Sequence, residues 1–284
     1  MNINSKRNIS RRTFFKLSLG GVGCCLLSSV SGAISPAAEN ESAPADNYYL
    51  LNRDQIIKAF RDTNEGARQW LASKYGEEIA IAVTREAEKE FEALLPLLPD
   101  VGGKKNIMIV EIPIIAWYAA FYRPLKQRDI PANVLGKMIY DLNDIELGQI
   151  PEAAARAEGA KKFTPGYIDK LQKWAFWTEK KEYPANWVAS FVPGNGKDFD
   201  YGYDYSECAL VKYLKACGAG EVAPFVCLND FIRSRTYGTG LHRTKTLAQG
   251  DNVCNFRYKK GCPVTQDWST EIGLIRARIK EGRI

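Results

Sequence analysis

Cysteine is the residue type with which this chain offers the most chemistry. Of the seven cysteines in its 284 residues, five follow residue 33, namely Cys208, Cys217, Cys227, Cys254 and Cys262. A thiolate is both a nucleophile and a metal ligand, and a helix N-terminus favours its formation. The sequence predicts a helix from Ser206 to about Cys217 that is capped by Ser206, with Cys208 as its second residue. Cys208 is therefore our first candidate for a catalytic nucleophile.

The single histidine, His242, restricts the mechanisms that remain. A metal site with two or three histidines is excluded, and any pair of a nucleophile and a histidine must use His242. Its side chain is also the only one whose unperturbed pKa lies near neutrality. We therefore predict His242 as a proton shuttle.

The other cysteines are distributed over the C-terminal third. Cys217 is too far along the predicted helix to form a disulfide with Cys208. Cys227 and Asp230 are three residues apart, which predicts a shared helical face. Cys254 comes early in a predicted strand. A small buried hydrophobic residue is the alternative interpretation of each cysteine.

Basic residues accompany these cysteines on two predicted strands. Arg243, Lys245 and Arg257 would suit a ligand that bears a carboxylate. The alternative for any one of them is a solvated face of the sheet.

Helices are predicted for most of the chain between Asn52 and Glu182. Apolar residues recur at three- and four-residue steps, and prolines precede several of the segments. The predicted helical segments are 52–98, divided at Gly76, then 106–122, 131–147, 151–159 and 165–182. The run 106–122 is the most apolar of these, but Glu111 and Pro113 interrupt it and it is short for a membrane span, so we interpret it as a buried helix.

The pattern changes after Tyr183. Residues 187–192 read as a strand, and residues 198–205 alternate aromatic and acidic side chains, as a half-buried strand does. A helix is predicted from about Glu221 to Arg235, followed by a hairpin of strands 241–247 and 253–258. The predicted fold is α+β, with a helical part (48–183) packed with an α/β part (184–284) that contains the antiparallel hairpin.

Most of the basic excess belongs to the N-terminus. The formal net charge is +6, but the first 33 residues hold five Lys or Arg and no Asp or Glu, which leaves a net charge of +1 for the rest. This balance does not favour nucleic acid as a partner of the folded part.

The N-terminal segment resembles a twin-arginine export signal. Ser10-Arg11-Arg12-Thr13-Phe14-Phe15-Lys16 precedes a weakly apolar run and then Ser31-Gly32-Ala33, where small residues suit signal cleavage. We expect residues 1–33 to be a signal peptide read by the twin-arginine export machinery, residues 34–47 to be a disordered spacer, and the mature protein to be periplasmic without a membrane span. The alternatives are an N-terminal membrane anchor and a degenerate lipoprotein box at Cys24.

Three segments of the C-terminal third together resemble the bacterial L-2-amino-thiazoline-4-carboxylic acid hydrolase family. They are Tyr205-Ser-Glu-Cys208, Cys227-Leu-Asn-Asp230-Phe, and the stretch His242-Arg243-Thr-Lys-Thr246-Leu-Ala-Gln-Gly250-Asp-Asn-Val-Cys254-Asn-Phe256-Arg257. The resemblance extends from about Asn52 to Tyr258 and is loose in the helical half. It departs at Asn255, where the family usually has Asp, and in the export signal.

This resemblance implies a hydrolase that opens a 2-aminothiazoline ring, with N-carbamoyl-L-cysteine as product and a small molecule as substrate. Cys208, Cys227 and Cys254 match the cysteine positions of the family, whereas Cys217 and Cys262 do not. Under this hypothesis Cys208 is the preferred nucleophile, Cys254 the second choice, and Asp230 orients or deprotonates. Arg243, Arg257 and Thr246 would contact the substrate.

Two alternatives stay open at this point. The three matched cysteines are either one nucleophile with two structural companions or a three-thiolate metal site completed by Asp230 or His242. No cofactor is required by the sequence. The protein is also consistent with an exported small-ligand or metal-binding protein that keeps the fold without the activity, which Asn255 and the export signal favour, whereas the intact Arg243-Thr-Lys-Thr246 strand favours an enzyme.

Overall fold

The computed structural model describes residues 48–284. The predicted signal peptide (1–33) and spacer (34–47) lie outside the described residues. Helices occupy the first part of the described chain: α1 (Tyr48–Leu51), α2 (Arg53–Tyr75), α3 (Glu77–Leu94), α4 (Glu111–Lys126), α5 (Ala132–Leu147), α6 (Glu152–Lys161) and α7 (Pro165–Glu179). The helices expected between Asn52 and Glu182 are therefore confirmed.

The helical core forms where the apolar stripes of α2, α3 and α4 meet. Phe60 of α2 stacks on Phe91 of α3 with ring centroids 4.3 Å apart, and both rings are fully buried. Trp117 and Phe121 of α4 complete this aromatic cluster. Burial of such large apolar surfaces is the main favourable contribution to folding.

Helix α4 is buried on nearly every side, as expected for a central helix. It begins at Glu111, and Pro113 lies in its first turn, where a proline costs no helical hydrogen bond. Among residues 48–284, no helix combines the length and the apolar composition needed to cross a membrane.

A four-stranded antiparallel sheet follows. Its strands are β1 (Val188–Pro193), β2 (Tyr201–Glu207), β3 (Leu241–His242) and β4 (Cys254–Tyr258), in the order β1-β2-β4-β3. The remaining helices are α8 (Ala209–Ala216), α9 (Ala223–Val226), α10 (Asn229–Tyr237) and α11 (Trp268–Lys280). The α+β fold and the antiparallel pairing of β3 with β4 are thus confirmed.

Several predicted element boundaries are wrong. The helix expected from residue 106 begins at Glu111, and the strand expected from residue 198 begins at Tyr201. Three further boundaries change because side chains or strands remote in sequence form contacts there. The helix expected from Ser206 starts at Ala209, since β2 continues through Glu207 to pair with Val188.

The helix expected from Glu221 to Arg235 is interrupted between α9 and α10. At this break Arg243 donates a hydrogen bond to the carbonyl of Cys227, and the Asn229 side chain donates one to the carbonyl of Val226.

The first hairpin strand is shorter than expected and ends at His242. Beyond it, the Asn255 side chain accepts hydrogen bonds from the amides of Thr244 and Lys245, and Thr246 caps a 3-10 turn at Leu247–Gln249. Side-chain bonds therefore replace the strand ladder that the sequence predicted.

Helix α5 packs closely against Phe225 at Gly136. A Cβ at Gly136 would lie 2.2 Å from the Cβ of Phe225, whereas one at Gly273 in α11 would meet no atom within 4 Å. We expect Gly136→Ala to lower the free energy of unfolding by about 1–3 kcal/mol through overpacking. Gly273→Ala, the matched control, should raise it by up to about 1 kcal/mol through helix propensity. Urea denaturation measures both, and equal effects of the two substitutions would contradict the packing of α5 on Phe225.

Candidate active site

The three family-matched cysteines come together around Asp230. β2 pairs with β4 so that Tyr205 lies opposite Cys254, which brings Cys208 to the same end of the sheet. Burial is the main reason for the raised pKa of the Cys227 thiol; Arg243 opposes the rise, and Cys254, Cys208 and Asp230 add to it. Arg243 connects these groups directly, since its guanidinium binds the Asp230 carboxylate and the Cys227 carbonyl and packs on the ring of Phe256, which shares a strand face with Cys254. The tertiary structure thus brings together groups from three separate segments.

Arg243 and Asp230 form the polar centre of this cluster. The Arg243 guanidinium donates from Nη1 to Asp230 Oδ2 at 2.5 Å and from Nη2 to the Cys227 carbonyl at 2.8 Å. It lies between the rings of Phe231 and Phe256, 4.9 Å from each centroid. The side chain of Arg243 is 2% exposed and that of Asp230 is 40% exposed. Arg243 is therefore a positioning residue, and Asp230 is the member of the pair that a ligand can reach.

Cys208 does not occupy the helical position expected of it. It is the N-cap of α8 with extended backbone, and its side chain makes no capping hydrogen bond. Burial raises the pKa of its thiol, an effect that the amides of Val211 and Leu210 offset only in part. The prediction of a stabilised thiolate is wrong for the free protein, because burial raises the pKa of the thiol more than the amides at the helix terminus lower it.

Cys227 and Cys254 have different environments. Cys227 lies at the break between α9 and α10, so the prediction that it shares a continuous helix with Asp230 is wrong. Cys254 is buried and its sulfur accepts a hydrogen bond from the amide of Leu247 at 3.1 Å. Burial raises the pKa of Cys254 to about 12. These features suit Cys254 to a structural role.

The metal-site alternative requires three donors in one arrangement. In the part of the chain that the structure describes, no group of three or more His, Cys, Asp or Glu side chains is placed to hold a metal ion. Cys208, Cys227 and Cys254 therefore lack the geometry of a three-thiolate site, with or without Asp230 or His242.

Two residues expected in the site, His242 and Arg257, lie elsewhere. His242, the last residue of β3, is exposed, whereas Leu241 before it and Arg243 after it are buried. Arg257 lies on the face of β4 opposite to Cys254 and donates to Asp204 Oδ1 at 2.6 Å and Oδ2 at 3.3 Å. Thr246 is buried, and its hydroxyl accepts a hydrogen bond from the amide of Gln249. His242 and Arg257 therefore do not join the cysteine cluster, whereas Thr246 directly precedes Leu247, whose amide binds the Cys254 sulfur.

The departure at Asn255 also lies away from the cluster. Its side chain binds the backbone of Thr244 and Lys245 and donates to the Thr244 hydroxyl at 2.9 Å. Because neighbouring residues of a strand point to opposite faces, Asn255 shares the face of Arg257 rather than that of Cys254. The substitution of the family's usual Asp therefore leaves the groups around Asp230 in place.

A second charged group borders the cluster and was not predicted from sequence. Glu111 begins α4 and Arg233 follows Asp230 by three residues on α10; Glu111 Oε1 and Arg233 Nη1 lie 3.5 Å apart. Lys162 comes directly after α6, and burial lowers its pKa, as does Arg233. Burial raises the pKa of Glu111, whereas Arg233 opposes this. Two sequence signals could have identified this group. Asp230 and Arg233 are three residues apart, and Glu111 is a charged residue in an apolar run. No sequence signal pointed to Lys162.

Tyrosine hydroxyls form the remaining border. The hydroxyls of Tyr203 and Tyr258 lie 2.9 Å apart, and the ring of Tyr205 packs against that of Phe256. Burial raises the pKa of all three tyrosines, and Asp230 adds to it. Because they stay protonated, these hydroxyls are hydrogen-bond donors at neutral pH.

The raised thiol pKa values predict the order of alkylation. At pH 7.5 iodoacetamide should modify the exposed Cys262 well before Cys208, Cys227 and Cys254, because the thiolate is the reacting form. Because a raised pKa moves thiolate formation to higher pH, the alkylation rate at Cys208 should still increase above pH 9. Peptide mass spectrometry of timed samples measures these rates. A Cys208 that reacts first at pH 7.5 would contradict the burial described here.

Comparison with known proteins identifies one family. The model of the L-2-amino-thiazoline-4-carboxylic acid hydrolase family matches residues 106–258, from just before α4 to the end of β4. No curated protein and no solved structure matches the chain. The matched segment is more than half of the 284 residues and includes every cysteine of the cluster. The chain therefore belongs to the L-2-amino-thiazoline-4-carboxylic acid hydrolase family.

Proposed function

We propose that the protein hydrolyses a cyclic amidine of the thiazoline type, with conversion of L-2-amino-thiazoline-4-carboxylate to N-carbamoyl-L-cysteine as the reference reaction. The observation that carries the proposal is the cluster itself. Asp230, which Arg243 connects to Cys227, is 40% exposed, and it lies with Cys208 and Cys254 inside the segment that matches the hydrolase family. Membership of the family supports the reaction class.

The reaction needs one water and no redox partner. The water oxygen bonds to the amidine carbon, the bond from that carbon to the ring sulfur breaks, and the sulfur leaves as a thiol. The amidine carbon becomes the carbonyl of a urea. The protein must therefore supply a nucleophile, a proton acceptor for it, and a proton for the sulfur.

Cys208 and Asp230 fit these roles. In the covalent route the Cys208 sulfur attacks the amidine carbon, its proton passes to Asp230, and the ring sulfur departs with a proton. Water then releases the isothiourea-type intermediate and restores the thiol. Bound next to Asp230, a protonated amidine would favour the Cys208 thiolate, because an opposite charge stabilises the ionised form. The tyrosine hydroxyls supply hydrogen bonds to the nitrogens.

The neutral thiols also support a second candidate function. Because burial raises the pKa of Cys208, Cys227 and Cys254, none of these groups is a thiolate in the free protein at neutral pH. This favours, as the alternative, a small-ligand-binding protein that keeps the fold without the activity.

One experiment separates the two functions. The purified protein is incubated with L-2-amino-thiazoline-4-carboxylate in ¹⁸O-labelled water, and the products are analysed by mass spectrometry. The hydrolase proposal expects N-carbamoyl-cysteine with one labelled oxygen in its carbamoyl group. Tight binding without product over many hours would instead support the binding protein.

We further propose export to the periplasm by the twin-arginine route. Replacing Arg11-Arg12 by Lys-Lys should leave the precursor in the cytoplasm, because the arginine pair is the feature that such signals share. Cell fractionation and immunoblotting locate the protein. Unchanged export of the Lys-Lys variant would contradict this route.

A further inference from the structure

The proposed substrate carries a carboxylate, and both arginines predicted to bind it are already engaged. Arg257 pairs with Asp204 on the other face of β4. The Nη atoms of Arg243 bind Asp230 and the Cys227 carbonyl, its Nε is buried without a hydrogen-bond partner, and the side chain is 2% exposed. Because each arginine is already paired with an aspartate and Arg243 is almost inaccessible, a ligand carboxylate that enters from solvent needs a different cation.

Arg233 is one cation with the right placement. It follows Asp230 by one turn of α10, so the two side chains share a helical face with Cβ atoms about 5–6 Å apart. Its side chain is 29% exposed, and Glu111 holds it from the start of α4. Arg233 is thus both oriented and accessible, which Arg243 is not.

Lys162 is the second cation. It is half-buried, and its Nζ lies 5.6 Å from the centroid of the Tyr237 ring. Tyr237 follows Arg233 by four residues on α10, so the two share a helical face and Lys162 lies on the side of the helix that carries Arg233. Burial and the charge of Arg233 both lower the pKa of Lys162, and Glu111, Glu158 and Asp230 offset this in part. Two cations that repel each other at a half-buried place are stabilised by an anion that contacts both.

The charges are arranged in the order that a zwitterionic substrate needs. Asp230 is accessible for the positively charged amidine, Arg233 carries the opposite sign one helical turn away, and Lys162 lies beyond it over the Tyr237 ring. One turn of helix is comparable with the length of a five-membered ring that bears a carboxylate.

We propose that Arg233 and Lys162 bind the carboxylate of the substrate and so restrict the site to carboxylated cyclic amidines. This inference rests on the proposed function, and it names the residues that set its specificity. Glu111 positions Arg233 and competes with the substrate carboxylate for it.

The test compares two aromatic analogues that resist ring opening, 2-aminothiazole-4-carboxylate and 2-aminothiazole. Isothermal titration calorimetry at neutral pH measures the affinity of each. The wild-type protein should bind the carboxylated analogue about 10- to 100-fold more tightly, since its charge-assisted hydrogen bonds form at a half-buried site. Arg233→Met and Lys162→Met should each lose most of this preference.

Lys161→Met is the matched control. Lys161 precedes Lys162, carries the same charge and has a side chain that is 69% exposed. Removing the charge of Lys161 should leave the affinity ratio of the two analogues unchanged. This control separates a specific contact with the carboxylate from the overall electrostatic potential of the protein. Circular dichroism establishes that each variant is folded.

A third variant guards against loss of binding through misfolding. Glu111→Gln removes the competing carboxylate, so it should bind the carboxylated analogue severalfold more tightly and the uncharged analogue as before. A gain restricted to one analogue cannot come from a damaged fold.

The outcomes separate this inference from the proposed function. Ring opening by the wild-type protein together with an unchanged preference in Arg233→Met and Lys162→Met would overturn the inference and leave the hydrolase proposal intact. No ring opening, together with a preference that these two variants lose, would support the carboxylate site and contradict the hydrolase. Equal affinity of the wild-type protein for both analogues would overturn the inference.

Discussion

Cys208→Ser is expected to lower kcat for ring opening by about 10³-fold or more, because removing a nucleophile removes the covalent route and not a fraction of binding. The fold should survive, since serine is close in size to cysteine and Cys208 is only half-buried at the N-cap of α8. Serine is itself favoured at N-caps. Steady-state kinetics and thermal denaturation measure the two effects.

Controls for this substitution come from the same chain. Cys217→Ser and Cys262→Ser change exposed thiols outside the cluster and should leave kcat unchanged. Cys254→Ser should act mainly on stability, because the Cys254 sulfur accepts the amide of Leu247. If Cys208→Ser kept near-wild-type turnover on a confirmed substrate, covalent catalysis at Cys208 would be wrong, and attack by water with Asp230 as base would take its place.

Asp230→Asn is expected to have the second largest effect, and it acts on both activity and stability. It removes the proposed proton acceptor, for which a loss of about 10²–10⁴-fold in kcat is typical. It also leaves the buried Arg243 guanidinium without its carboxylate partner. Because Asp230 is partly exposed, we expect Asp230→Asn to lower the free energy of unfolding by about 1–3 kcal/mol, which is less than for a fully buried pair. Kinetics and urea denaturation provide the two measurements.

The pair Asp204–Arg257 supplies a matched control on the other face of β4. Asp204→Asn breaks a similar carboxylate–guanidinium contact, at 2.6 Å, between side chains that are 33% and 23% exposed. Asp204→Asn should lower the free energy of unfolding by less than about 1 kcal/mol and should leave kcat unchanged. Equal losses of activity in Asp204→Asn and Asp230→Asn would contradict the placement of the site around Asp230.

The helices and strands were largely accessible from sequence because their signals are local. The three- and four-residue steps that include Phe60 and Phe91 predict helices whose stripes meet in the core, and the alternation through Tyr201, Tyr203 and Tyr205 predicts a half-buried strand. The boundaries near Cys208 and Cys227 were not accessible, since the partner that ends each element is remote in sequence. Val188 extends β2 past Ser206, and Arg243 binds the carbonyl at the break before α10.

The candidate site divides in the same way. The sequence by itself identified Cys208, Cys227, Cys254, Asp230 and Arg243 as residues of chemical interest, because residue type and motif are properties of the chain. It could not rank Arg243 against Arg257, although period-two alternation already places Arg257 and Cys254 on opposite faces.

Only the tertiary structure decided which of these groups meet and in what protonation state. The cluster joins α10, the start of β4 and the end of β2, and its border includes Glu111 from α4 and Lys162 from the end of α6, which no motif connects to it. Whether Cys208 is a thiolate depends on the balance between helix-terminal amides, which the sequence suggested, and burial, which it did not. Burial is a property of the packed chain, because the desolvation that raises a thiol's pKa comes from residues distant in sequence.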